Sequence, residues 1–361
     1  MMRNYVLTTL LSTVVAVGMI GTAQAEVNVV TWGGAYAVSQ QKAYGDTWKG
    51  EKINWINYNG GLGEIRTQVE SGAVTWDVVD VLPDQVRTGC DEGLFEPLDR
   101  SMFVPAPDGT PMDKDTMNKA PNNCVAPNIF WSYLAFYEEG TFKGEQPSTI
   151  ADFFDVEKFP GKRGIHTWPN ALIEMALLAD GVPIDKIYEV MSTGEGIDRA
   201  FAKLDQIKDH AVFWSAGSKP IELVKSGETS MALAYNGRVG AAVLNEGEKL
   251  VPIWDGQVVE EQWWVVLKGS PNAEAAKKFL VHATAPQQQA AQAKWINYGP
   301  MRKSALDLIK ANEPWHHSGV NIMPYMPTRE EVLPRSIFAD PAWWADYGGE
   351  ISERYTSWMS Q

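Results

Sequence analysis

Basic residues, histidine and cysteine are scarce in this 361-residue chain, and its one long apolar run is confined to the start. Lysine and arginine number 31 against 45 acidic residues, a formal charge of −14. That balance argues against nucleic acid or an anionic membrane surface as a partner and favours a cationic ligand. The five histidines (His166, His210, His282, His316, His317) are scattered, with no H-E-x-x-H and no Cys/His cluster, so no metal centre is expected. A G-x-S-x-G elbow is absent too. Gly61-x-Gly63 lacks both the third glycine of a dinucleotide loop and the Lys-Ser/Thr of a P-loop, which leaves it a turn and leaves no cofactor to expect. Repeats and low-complexity tracts are missing. With only two cysteines, Cys90 and Cys124, the choice is between one disulfide, stabilising by about 3–4 kcal/mol through chain entropy, and two buried thiols.

The apolar run, Val6 to Ile20, follows Arg3 and precedes Thr22-Ala-Gln-Ala25, the pattern of a cleavable secretory leader over residues 1–25. Glu26 stands where a lipid-anchored protein would need cysteine, so a freely diffusing periplasmic protein, expected to be monomeric, is the reading. No later stretch approaches the length of a membrane span. The chain from Glu26 onward exceeds one comfortable hydrophobic core and predicts two lobes.

Glu26-Val-Asn-Val-Val-Thr-Trp-Gly-Gly-Ala-Tyr36 reads as a buried strand that breaks at a glycine pair flanked by aromatic rings. The same plan recurs along the chain. Trp76 to Leu82 is a strand ending in Pro83-Asp84, with Asp80 near its end, and further strand ends carry Trp168, Trp214, Tyr235 and Tyr298. Ligands of open α/β sheets bind outside such carboxyl ends. Aromatic faces set beside Asp, Asn, Gly or Pro suit an organic cation, each face contributing about 0.5–2 kcal/mol. Asn128 to Tyr137, rich in β-branched and aromatic residues, reads as a strand crossing to the second lobe. The chain returns near Lys249 to Lys268, passing Glu260-Glu-Gln-Trp-Trp264.

With these residues in place, the chain resembles the periplasmic substrate-binding proteins of spermidine/putrescine-type ABC transporters over essentially its whole length beyond the leader. Trp76-Asp-Val-Val, Gly93-Leu-Phe-Glu-Pro-Leu-Asp99, Lys158-Phe-Pro-Gly-Lys-Arg163, Gly227-Glu228 with Met231-Ala-Leu-Ala-Tyr-Asn-Gly237, and Tyr298-Gly-Pro300 carry the likeness through their order and spacing. The resemblance implies an α/β, two-lobe periplasmic-binding-protein fold of type II, an inner-membrane ABC permease as partner, and no enzymatic activity. Lobe one is expected at 26–127 plus 250–300, and lobe two at 128–249 plus 301–361. The resemblance places ligand-facing rings at Trp32, Tyr36, Tyr235, Tyr298 and Trp344. Two carboxylates that polyamine binders carry after the crossing are replaced here by Trp168 and Ala171, while Glu261 lies near the late Trp263.

The expected cage is therefore Trp32, Tyr235 and Trp263. Trp32, Asp80, Asp84 or Glu261 would hold the cationic end of the ligand. Arg238 stands either in a surface salt bridge or opposite a ligand carboxylate. Putrescine or spermidine is the main expectation, and γ-aminobutyrate or a betaine the alternative. Iron-binding relatives use adjacent tyrosines, and the chain has no Tyr-Tyr pair.

Overall fold

The computed structural model describes residues 26–361; the leader expected at 1–25 lies outside them. Ten strands form one continuous sheet: β1 (Glu26–Thr31), β2 (Lys52–Asn57), β3 (Val78–Val81), β4 (Ala126–Glu138), β5 (Arg163–His166), β6 (Ala211–Trp214), β7 (Met231–Tyr235), β8 (Leu250–Val266), β9 (Gly299–Pro300) and β10 (Ile337–Phe338). Their order is β2-β1-β3-β8-β4-β7-β5-β6, with β10 on β8 and β9 on β4. The outer three strands at each end are parallel to one another, and each trio meets an antiparallel long strand, β3 against β8 and β7 against β4. This is a two-lobed α/β molecule.

Val27, Val29, Val30, Val78, Val79 and Val81 have no exposed surface, because helices cover both faces of the first half-sheet. In the second lobe the helix Leu172–Ala179 is apolar on nearly every side and sits wholly inside the core. Helix Pro83–Asp91, which leaves β3, is tied at its far end by a disulfide between Cys90 and Cys124. Among the described residues no helix is long and apolar enough to cross a membrane.

The lobes are joined by β4 and β8, which pair antiparallel from Ala126 with Trp264 to Glu138 with Leu250. The register shifts twice, between Pro127 and Ile129 and between Tyr133 and Ala135. Ile253 and Val258 lie in the second core, whereas Val259, Trp263 and Val265 lie in the first. Cuts at 127/128 and 249/250 thus fall at or near the ends of strands that serve both lobes. Met301 and Arg302, placed in the second lobe by the expected division, pack against the first. Met301 enters its core, and the buried Arg302 donates to Asp115 Oδ2 at 2.5 Å and to the carbonyl of Thr284 at 3.0 Å. A buried guanidinium needs such partners, and the first lobe supplies them. Only the end of the chain, from β10 through the helix Pro341–Ser360, seats on the second core, through Trp343, Ile351, Tyr355 and Trp358.

Candidate functional site

Strand ends from both lobes converge on an interlobe cavity of about 470 Å³. The first lobe contributes Leu82, Pro83 and Asp84, where β3 gives way to a helix. The crossing strands contribute Trp131, Tyr133, Glu260 and Glu261, and β7 ends at Tyr235. The end of β5 and the segment after it add His166, Trp168 and Ala171, and the terminal helix closes the cavity with Trp344, Gly348 and Ser352.

Pairing register explains the wall. Trp131 and Tyr133 are two apart on β4 and share a face; Trp131 lies opposite Glu260, and Tyr133 opposite Tyr235. The Trp131 and Tyr133 rings stand 5.3 and 5.6 Å from that of Tyr235, both edge to face. Trp214 backs this group from the core rather than lining the cavity, 4.3 Å from the His166 ring and 6.1 Å from Tyr235. Trp168 is 55% exposed and forms the rim. The His166 Nδ1 accepts the backbone N–H of Trp168 at 2.9 Å, and burial pushes its pKa down to about 4, so the ring is neutral at physiological pH.

The cavity is acidic. Burial, followed by the charges of Glu174, Asp84 and Glu261, pushes Glu260 up to about 8. Asp84 is raised by burial, and so is Glu261, although the side chains of Asn118 and Trp263 donate to it. Carboxyls crowded in a low-dielectric site share a demand for one positive charge, and aromatic faces beside them meet the apolar part of an amine. Among the described residues no group of three or more His, Cys, Asp or Glu side chains is arranged to hold a metal ion.

Of the twelve binding residues expected from sequence, Asp84, Trp168, Tyr235, Glu261 and Trp344 border this cavity. Asp80 does not. It is fully buried, and its Oδ2 accepts from Tyr36 at 2.6 Å, Gln40 at 2.9 Å and Asn128 at 3.0 Å, so both Asp80 and Tyr36 serve the scaffold of the first lobe. Trp263 has no exposed surface: it opposes Val81 in the first core and donates to Glu261 Oε2 at 2.9 Å. Trp32 packs on Tyr58, ring centres 4.9 Å apart, and Tyr298 on Tyr36 at 5.3 Å. Of the expected cage of Trp32, Tyr235 and Trp263, Tyr235 lines this cavity and the other two do not. Being at a strand end is not enough, because the pleat sends alternate side chains to opposite faces.

Arg238, in the first turn of helix Asn236–Glu246, lies just outside the cavity. Its Nη1 is 2.6 Å from where a Cβ on Gly34 of the first lobe would stand, and Gly34 has φ +59°. The Tyr235 ring and Arg238 Nε are 3.5 and 3.8 Å from the equivalent point on Gly217. Arg238 thus spans the interlobe crevice beside Tyr235, and it makes no ion pair or hydrogen bond with another described side chain or backbone group. Trp131, Tyr133, Glu260 and the buried Glu174 were not singled out from sequence. The period-2 pattern of the crossing strand would have paired Trp131 with Tyr133, but choosing Glu260 required the register.

Comparison with known proteins agrees with this architecture. The model of the bacterial extracellular solute-binding protein family matches residues 37–319. A γ-aminobutyric acid-binding protein of Pseudomonas aeruginosa is 35% identical over 336 residues, covering 92% of this chain and 90% of that one. Among solved structures, an ABC transporter substrate-binding protein from Bradyrhizobium japonicum is 32% identical, with a TM-score of 0.79 and coverage of 93% and 99%. A GABA receptor is 30% identical, with a TM-score of 0.75 and coverage of 93% and 98%. The chain belongs to the bacterial extracellular solute-binding proteins, as the substrate-binding component of an ABC transporter and not an enzyme.

Proposed function

We propose that the interlobe cavity captures a small zwitterionic amine of the γ-aminobutyrate class in the periplasm and delivers it to an ABC permease. The observation that carries this reading is Arg238: a guanidinium without an ionic partner among the described residues, next to Tyr235 at the edge of an otherwise acidic, aromatic cavity. The ammonium would sit among Glu260, Glu261 and Asp84, against the rings of Trp131 and Tyr235. The carboxylate would reach past Tyr235 to Arg238, whose planar fork suits bidentate binding. Two relatives at 30% identity or more are named for γ-aminobutyrate, which supports the zwitterion over the polyamine that the sequence resemblance put first.

A polyamine remains the second reading, because three carboxylates and no lysine or arginine line the cavity itself. Calorimetry of wild type and Arg238→Ala with γ-aminobutyrate and putrescine separates the two. A zwitterion binder loses at least about tenfold in γ-aminobutyrate affinity on removal of the guanidinium, in line with about 1.5–3 kcal/mol for a charged hydrogen bond. Tight putrescine binding that ignores the substitution, with no γ-aminobutyrate signal, would return the site to polyamines.

A further inference from the structure

Glu174 lies in the first turn of helix Leu172–Ala179, with no exposed surface, behind the cavity rather than on its wall. Its Oε1 accepts the indole N–H of Trp344 at 2.7 Å and the hydroxyl of Tyr188 at 2.9 Å. The Tyr188 hydroxyl in turn accepts the backbone N–H of Asp340 at 2.8 Å, and Asp340 caps the terminal helix through the N–H groups of Ala342 and Trp343. One carboxyl thus reaches both the entrance of that helix and the ring it turns toward the ligand. Glu174 has no cationic partner among the described residues, and its Oε2 has no partner in hydrogen-bond geometry.

A buried carboxyl of this kind is expensive to keep, and an apolar residue of similar size would pack there at lower cost. What a leucine could not do is fix an indole N–H. The Trp344 ring is held on its other side by its own helix, for a Cβ on Gly348 would come within 3.1 Å of Trp344 Cε3. The ring is therefore located by an acceptor and by a missing side chain, and the helix carrying it also touches the first-lobe helix Pro83–Asp91 that presents Asp84.

We propose that Glu174 is the positioning residue that holds Trp344, and through it the terminal helix, as a wall of the amine site. The inference rests on the reading that this cavity holds the amine. The test combines a ligand-free readout with a binding readout. The Trp344 indole N–H resonance, assigned by its loss in Trp344→Phe, is followed in proton–nitrogen spectra of Glu174→Gln and Glu174→Leu, and γ-aminobutyrate is titrated into each by calorimetry. Glu174→Leu is expected to move the resonance out of its hydrogen-bonded position and to raise Kd at least about tenfold, whereas Glu174→Gln, which keeps an acceptor, stays within about threefold of wild type.

Wild-type affinity in folded Glu174→Leu overturns the proposal, and so does weaker binding with an unmoved resonance. Should Glu174→Leu fail to fold, Trp344→Phe decides, since it keeps a ring and removes only the donor: wild-type affinity there also overturns it. If wild type gives no heat with γ-aminobutyrate, the zwitterion reading falls, and the same variants are titrated with putrescine. Binding of neither probe to wild type overturns both.

Discussion

Burial and three neighbouring acids push the Glu260 carboxyl up to about 8, and Glu174 and Asp80 are raised to about 7 mainly by burial. In the unfolded chain such groups titrate near about 4. The folded protein therefore binds more protons than the unfolded one between these values, and the stability linked to these groups is complete below about pH 4 and lost as pH rises through about 7 to 8. The ligand-free melting temperature should fall from pH 6 to 8.5. An ammonium favours the charged carboxyls, so binding should release protons, and affinity should strengthen over the same range. Scanning fluorimetry, together with calorimetry in buffers of different ionisation enthalpy, checks both. A melting temperature that rises toward pH 8.5, or binding without proton release, would contradict the assignment. Sequence reading reached Glu261 and passed over its neighbour because chemistry in a run of two glutamates is identical; only the opposing strand, which sets Trp131 against Glu260, tells them apart.

Among the elements, helix Pro83–Asp91 has its two ends set to different tasks. Its first turn presents Asp84 to the cavity, and its last turn is fastened by the Cys90–Cys124 disulfide. Replacing both cysteines by serine should lower the unfolding free energy by about 4 kcal/mol, the chain-entropy value for a loop with a sequence separation of 34. Affinity for γ-aminobutyrate should stay within about threefold of wild type, because Asp84 lies nearly two helical turns from the cross-link. Denaturant unfolding and calorimetry on the same preparations measure the two effects, and a folded double variant without binding would make the cross-link part of the site. Strands ending in aromatic or acidic residues were legible from β-branched runs halted by Gly, Pro or Asn. The inward or outward sense of each ring was not, which is why Trp32 and Trp263 read as cage residues although one lies on Tyr58 and the other inside the first core.

For the whole molecule, two lobes joined by β4 and β8 predict a shape that tightens around its ligand. Small-angle scattering should show a smaller radius of gyration with saturating γ-aminobutyrate, and an unchanged radius with ligand demonstrably bound would count against closure. The two-lobed division was legible from chain length and from the aromatic strand near residue 130. The exact partition was not, since crossing strands belong to both cores and Arg302 finds its partner, Asp115, far back in the chain.

The two register shifts of β4 bracket Trp131, the second beginning at Tyr133, and both residues line the cavity. If the lobes part by bending where the ladder is already irregular, the fulcrum of that movement carries the ligand's own contacts. Grip and closure would then be one degree of freedom: a substitution that stiffens the strand at Ile129 or Ala135 should alter affinity without changing the cavity wall.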